Sequence, residues 1–345
     1  MLDVLARFAT AWCSRLIKCL AVKNRFRGWL WIVGLLIAAA AALVLSARAG
    51  LLTADDAKVR ARYALAESRF VQIDGESVHF VDQGQGPAIV LVHGSFGSLR
   101  MWNEWAAQLT PRYRVLRFDR PRMGLSGPSP AGRTGTEQEL RIIAALTNKL
   151  GVERFFLAAT SSAGASAAAY AADHPEQVRG LILANIAVGA FSPNNAQRSR
   201  TLKFLRAIDP VFKGWRPQEF WRQVLLENFF DKSRVTPALA REWTDLNNRA
   251  QRMPPATGKA NPMAAFDQTV NDLARMSVPT LLLWSDHDHE LPLETTGLRG
   301  LKLLGSRDKE LQVVTNCGHM MPLECGAASA PRALAFFNRI VAAGA

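Results

Sequence analysis

Short apolar runs recur along the chain at intervals that a helix fills, and this alternation constrains the fold most. The runs are 88–92, 114–118, 155–158, 180–184, 280–284 and 311–314. The first is continuous rather than alternating, as a strand covered on both faces requires, and the others are similar. Between them lie helical stretches such as 137–150 and 165–172. Strands alternating with helices imply a mostly parallel sheet with helices on both faces. Upstream, 70–73 and 78–81 flank Asp74-Gly75-Glu76-Ser77, a hairpin signal. The alternation breaks between about 187 and 265, where Phe204, Phe212, Trp215, Phe220, Trp221, Phe229, Phe230 and Trp243 follow helical spacing. That stretch is read as a helical insertion over the C-terminal edge of the sheet. Most of its aromatics are expected to pack its own small core, and a minority to line a pocket. At 345 residues and 49% hydrophobic, the chain suffices for one large α/β domain bearing such an insertion.

A second constraint lies near the N-terminus. Residues 28–47 form a run of twenty without a charge. A helix of that length spans roughly 30 Å, the hydrocarbon thickness of a bilayer. Trp29 and Trp31 sit near one end, Lys23, Arg25 and Arg27 just before it, and Asp55 and Asp56 follow Arg48. The charge bias predicts a single-pass anchor with residues 1–27 cytoplasmic and everything from 49 onward outside, periplasmic in a Gram-negative cell. A cleaved signal ending at Ala47-Arg48-Ala49 and a buried core helix are the competing readings. Residues 48–68 are read as a polar, partly helical linker. The domain core then runs over 69–186 and 266–345, with the helical lid over 187–265. The formal net charge is +13, of which +6 falls within residues 1–48. The remainder is scattered, without a basic run or an aromatic-interleaved stripe, so no nucleic-acid partner is expected.

Ser161, Asp288 and His319 each sit just after one of the apolar runs. A serine hydroxyl needs a base within hydrogen-bond reach, and the base needs an orienting acid. Nucleophile, acid, histidine is the chain order of a triad built on a sheet of this kind. Ser162 competes with Ser161, because Gly164 follows it by two residues; Asp286 competes with Asp288. Asp286-His287-Asp288-His289 lacks a spaced partner motif, so no metal is expected. Cys317 and Cys325 bracket His319 and are read as buried free thiols, a bridge being the alternative in an oxidising compartment.

The segment from about 69 to 345 resembles the α/β-hydrolase superfamily, in its lid-bearing branch of esterases, haloperoxidase-like enzymes and carbon–carbon hydrolases. The resemblance is carried by His93-Gly94-Ser95-Phe96-Gly97 and by Asp119-Arg120-Pro121-Arg122-Met123-Gly124-Leu125-Ser126. It continues in Ala159-Thr160-Ser161-Ser162-Ala163-Gly164, in Trp284-Ser285-Asp286-His287-Asp288 and in Cys317-Gly318-His319 with Glu324. It implies an eight-stranded, mostly parallel sheet. It assigns Ser161 as nucleophile, His319 as base and then acid, and Asp288 as the group that orients the imidazole. It places the oxyanion hole at the backbone N–H groups of Ser95 and Ser162, and Phe96 and Arg122 near the substrate. It implies no cofactor.

Two features depart from the family pattern: Ala159 and Ala163 stand where glycines are usual, and Arg122 stands where glycine is usual. The expected activity is hydrolysis of a small-molecule or lipid-like carboxylic ester through an acyl-enzyme, at a membrane. Hydrolysis of a carbon–carbon bond in a dienoic keto acid is the enzymatic alternative. A non-catalytic ligand-binding protein on the same fold is the other.

Overall fold

The computed structural model describes residues 29–129, 135–189, 198–254 and 262–344. Residues 1–28, which hold the expected basic N-terminal segment, Cys13 and Cys19, lie outside the described residues, as do parts of the insertion.

Among the described residues the first element is helix α1 (Trp29–Arg48), followed by α2 (Asp56–Tyr63). A hairpin of β1 (Ser68–Ile73) and β2 (Glu76–Gln83) leads to β3 (Ala88–Val92), α3 (Asn103–Leu109) and β4 (Arg114–Phe118). Next come α4 (Thr136–Lys149), β5 (Phe155–Thr160), α5 (Gly164–Asp173) and β6 (Val178–Ala184). Helices α6 (Arg200–Ile208), α7 (Gln218–Asn228), α8 (Pro237–Arg249) and α9 (Pro262–Ala274) precede β7 (Thr280–Ser285). The chain closes with α10 (Leu298–Leu303), β8 (Lys309–Val314), α11 (Met321–Glu324) and α12 (Gly326–Ala342).

The eight strands form one sheet in the order β1-β2-β4-β3-β5-β6-β7-β8. The pairs β1/β2 and β2/β4 are antiparallel, and every other pair is parallel. Successive strand residues point to opposite faces, which explains the continuous apolar runs. In β3, Ala88, Val90 and Val92 join one core, and Ile89 and Leu91 the other. In β5, Phe155, Leu157 and Ala159 divide from Phe156 and Ala158 in the same way. The first core is closed by α4, α5, α9 and α10, the second by α3 and α12. Each fully buried aliphatic side chain contributes roughly 1.5–3 kcal/mol relative to exposure.

The helices between β6 and β7 hold a third apolar cluster of their own, with Phe220, Trp221, Phe229 and Trp243 at its centre. Helix α2 is fastened to this insertion. Tyr63 Oη and Arg62 donate to Asp245, and Arg249 pairs with Asp56. Helix α1 is long and apolar enough to cross a membrane, and almost all of its surface is exposed.

Candidate active site

β5 ends at Thr160 and α5 begins at Gly164, leaving Ser161 on a three-residue turn. Its φ is +54°, a conformation that costs a side-chain-bearing residue energy. The strain aims the hydroxyl out of the sheet edge instead of along a helix. Room for the turn comes from glycines on its neighbours. A methyl on Gly94 would approach Ser161 Cβ to 2.9 Å, and one on Gly164 would collide with Ile186. Ala159 and Ala163 are fully buried in the core beneath the turn. The two alanines therefore coexist with the left-handed serine, and the demand for glycine falls on Gly94 and Gly164.

Ser161, His319 and Asp288 come together from three separate strand ends. His319 Nε2 lies 3.0 Å from Ser161 Oγ, and His319 Nδ1 lies 2.7 Å from Asp288 Oδ2. The carboxylate partner places a proton on Nδ1. Asp288 Oδ1 accepts from the backbone N–H groups of Glu290 and Leu291 at 2.9 and 2.8 Å, which fixes the carboxylate. Burial acts to lower the His319 pKa, but the charges of Asp288 and Glu290 outweigh it, and it is pushed up to about 9.

The rival residues hold other partners. Ser162 Oγ accepts from Ser95 Oγ at 2.8 Å and from Arg120 Nη1 at 2.9 Å. Asp286 accepts from the N–H groups of Asn316 and Cys317 at 3.0 and 3.2 Å. The His287 ring stacks on Phe230, with centroids 4.2 Å apart. His93 Nε2 accepts from the Arg120 N–H at 3.0 Å, and burial pulls the His93 pKa down to about 4, so that ring is neutral and braces the loop beside Ser95.

A cavity of about 1200 Å³ opens over Ser161 and His319. Its wall includes Ser95, Phe96 and Ser162 from the core, and Leu202 and Arg206 from α6. Arg122 is not part of that wall: its guanidinium donates to the carbonyls of Pro254 and Ala250. The structure thus brings six of the seven expected site residues to one cavity and leaves Arg122 outside it. None of the eight insertion aromatics lines this cavity; Phe230 alone of them lines a separate, smaller pocket with Asp231 and Asn316. Four of them turn inward to form the insertion's own cluster, and the aromatic wall is made by Phe96 and Phe266.

Several supporting residues were not assigned from sequence. Asn185, with φ +47°, donates from Nδ2 to the His319 carbonyl at 2.9 Å and to Ser285 Oγ at 2.8 Å. It thereby pins the backbone of the imidazole loop to β7. Glu324 accepts from the Gly318 N–H at 2.8 Å on one side and the Asp231 N–H at 2.7 Å on the other. Arg120 forms a buried pair with Glu139, and Ser166 Oγ donates to the same carboxylate at 2.6 Å. A signal for Glu139 is present in the sequence: it falls on the i, i+3, i+4, i+7 stripe with Ile142, Ile143 and Leu146, where a lone carboxylate is out of place. Cys317 and Cys325, expected as free thiols, are joined in a disulfide. The turn after β8 and the start of α12 bring their Cα atoms to 6.1 Å, within bridging range, on either side of His319.

The α/β-hydrolase fold family model matches residues 87–324, so the chain belongs to that family. Among curated relatives, a 2-hydroxy-6-oxononadienedioate/2-hydroxy-6-oxononatrienedioate hydrolase of Klebsiella pneumoniae is 27% identical over 276 residues, covering 74% of this chain and 90% of the relative. A protein of the same description from Pseudomonas putida matches to the same extent. Among solved structures, a bacterial membrane phospholipase A described as a virulence factor is 26% identical, with a TM-score of 0.62. It covers 91% of this chain and 99% of its own. A meta-cleavage product hydrolase from Pseudomonas fluorescens IP01 has a TM-score of 0.64 at 22% identity, covering 79% of this chain and 97% of its own, and shows the shared fold.

Proposed function

We propose that this hydrolase cleaves carboxylic esters through an acyl-enzyme on Ser161 and is held at a membrane by α1. The observation that carries the reading is the left-handed Ser161 with His319 Nε2 at 3.0 Å and Asp288 at 2.7 Å behind it. His319 takes the Ser161 proton as the hydroxyl attacks the ester carbonyl, then returns it to the leaving alcohol. Water repeats the sequence to release the acid. Asp288 holds the imidazole and stabilises its charged form. The backbone N–H groups of Ser95 and Ser162, on either side of Ser161, receive the oxyanion. Anchoring is supported by the length and exposure of α1. It is supported also by the membrane phospholipase match, whose 91% coverage reaches beyond residues 69–345 where the other structures stop near 80%.

A second reading, carbon–carbon hydrolysis of a dienoic keto acid, is favoured by the descriptions of the curated relatives and by Arg198 and Arg206 in the cavity wall, which suit an acidic substrate end. The two separate on substrate. A fluorophosphonate probe should label the purified protein at Ser161, with labelling lost in Ser161→Ala and kept in Ser162→Ala. Turnover of p-nitrophenyl esters by the labelled-competent protein, without turnover of the dienoic keto acid, supports the ester reading. The reverse preference replaces it with the second.

A further inference from the structure

Helix α6 has two faces with different neighbours. Leu202 and Arg206 line the catalytic cavity, and Leu202 also enters the insertion's apolar cluster. Facing elsewhere, Phe204 is 63% exposed and Val211 49% exposed. Helix α6 runs directly into a single 3-10 turn, Asp209–Phe212, so Phe204, Ile208 and Val211 stand at i, i+4 and i+7 along one continuous rod. A solvent-facing apolar stripe of this kind on a helix next to a cavity needs a partner.

The surroundings say which partner. Arg48, the last residue of α1, donates to the Val211 carbonyl at 3.2 Å. Just beyond Arg48, the Gly50 and Thr53 carbonyls accept from Arg252 of the insertion at 2.6 and 2.8 Å. The end of α1 is therefore fastened beside the end of the stripe, and Leu51 and Leu52 add exposed apolar surface at the same junction. Lys203 and Lys213 lie along the same rod, while its acidic residue Asp209 is paired with Arg216. Apolar side chains with a basic margin form the pattern that settles into the headgroup boundary of an anionic bilayer.

We infer that the Phe204–Ile208–Val211 face docks onto the bilayer that α1 spans, so that the cavity draws its ester from the lipid phase. The inference rests on the anchored-hydrolase reading and adds the lipid surface as the substrate's source. With α6 lying between bilayer and cavity, an acyl chain reaches Ser161 past α6 without crossing bulk water.

The test uses the full chain in vesicles of phosphatidylethanolamine and phosphatidylglycerol. Phe204→Cys, in a Cys13→Ser, Cys19→Ser background, carries a nitroxide whose power saturation compares oxygen with a polar nickel chelate. Ile37→Cys in the same background serves as the anchor control. Greater oxygen access at both positions supports docking. Oxygen access at Ile37 with nickel access at Phe204 overturns docking and leaves the anchor standing; nickel access at both overturns both. Independently, Phe204→Asp with Val211→Asp should lower hydrolysis of a long-chain ester in these vesicles by about tenfold or more, with a soluble short-chain ester in detergent unaffected. Equal rates on the vesicle substrate would overturn the inference. Loss of the short-chain activity in the parent protein as well would instead remove the hydrolase reading.

Discussion

At the scale of single residues, the arrangement around His319 has a consequence for pH. On the proposed mechanism His319 must be neutral to accept the Ser161 proton, and its pKa is pushed up to about 9 by the Asp288 and Glu290 charges acting against burial. Protonation below that value removes the base, so activity should be lost as pH falls and gained as it rises. Esterase kcat/KM should climb about tenfold per pH unit below the limb and level off above about 9. Asp288→Asn should lower kcat by about 10⁴-fold, the scale set by neutralising a triad acid, and move the limb toward acid. A profile flat across neutral and alkaline pH in the parent would remove His319 as the titrating base. The same charges give a stability effect of opposite sign. The protonated His319–Asp288 contact stabilises the fold below the free histidine pKa, and that contribution disappears as pH rises through about 9.

At the scale of elements, the serine turn is held from beneath by a polar knot between α4, α5 and the loop after β4. Arg120 reaches Glu139 on α4, the His93 carbonyl and Ser162 Oγ. Both members of the Arg120–Glu139 pair are buried. Removing one partner leaves the other charge uncompensated, so Glu139→Gln should cost about 3–5 kcal/mol in denaturant unfolding. Arg120→Met with Glu139→Leu should recover much of that loss, since two apolar groups leave no orphan charge. A single mutant as stable as the parent would show that the pair carries little of the fold. Because Arg120 also donates to Ser162, Arg120→Met should lower ester turnover beyond what its stability loss explains. The loop bearing Asp119 has a parallel logic. Asp119 accepts from the N–H groups of Leu99 and Leu125, each at 2.7 Å, and a side chain on Gly124 would collide with it.

At the scale of the whole molecule, the end of α1 and helix α2 are fastened to the insertion between β6 and β7, with Arg60 of α2 also lying over the Phe70 ring of β1. Arg48, Asp56, Arg62 and Tyr63 all contact that insertion. The same segment walls the cavity, so the part of the protein nearest the proposed anchor is also the part nearest the substrate. The basic residues before α1 and the acidic pair after it predict a catalytic domain outside the cytoplasm. Alkaline phosphatase fused after Ala345 should be active in cells, and a reporter that matures only in the cytoplasm should not. The opposite pair of results would reverse the orientation. An extracytoplasmic site is also the compartment in which the Cys317–Cys325 bridge persists.

What the sequence by itself determined is what local pattern encodes. The apolar runs predicted strands at β3 to β8, buried throughout in β3, β5 and β7 and part-exposed along the edge strand β8, and they put Ser161, Asp288 and His319 just after strand ends. Those features are one-dimensional, because strand periodicity and turn chemistry are properties of neighbouring residues. Only the tertiary structure decided among alternatives that are local equals. Ser161 and Ser162 are adjacent hydroxyls, and the φ of one and the Arg120 contact of the other separate them. Asp286 and Asp288 differ by two residues, and only the position of the His319 ring tells them apart. Arg122 carries the right charge for a substrate anchor, yet the carbonyls at the end of α8 hold it away from the cavity. Cys317 and Cys325 became a bridge because α11 folds back over the β8 turn. In each case the deciding contact is with a residue distant in the chain or a backbone angle set by packing, neither of which a run of amino acids displays.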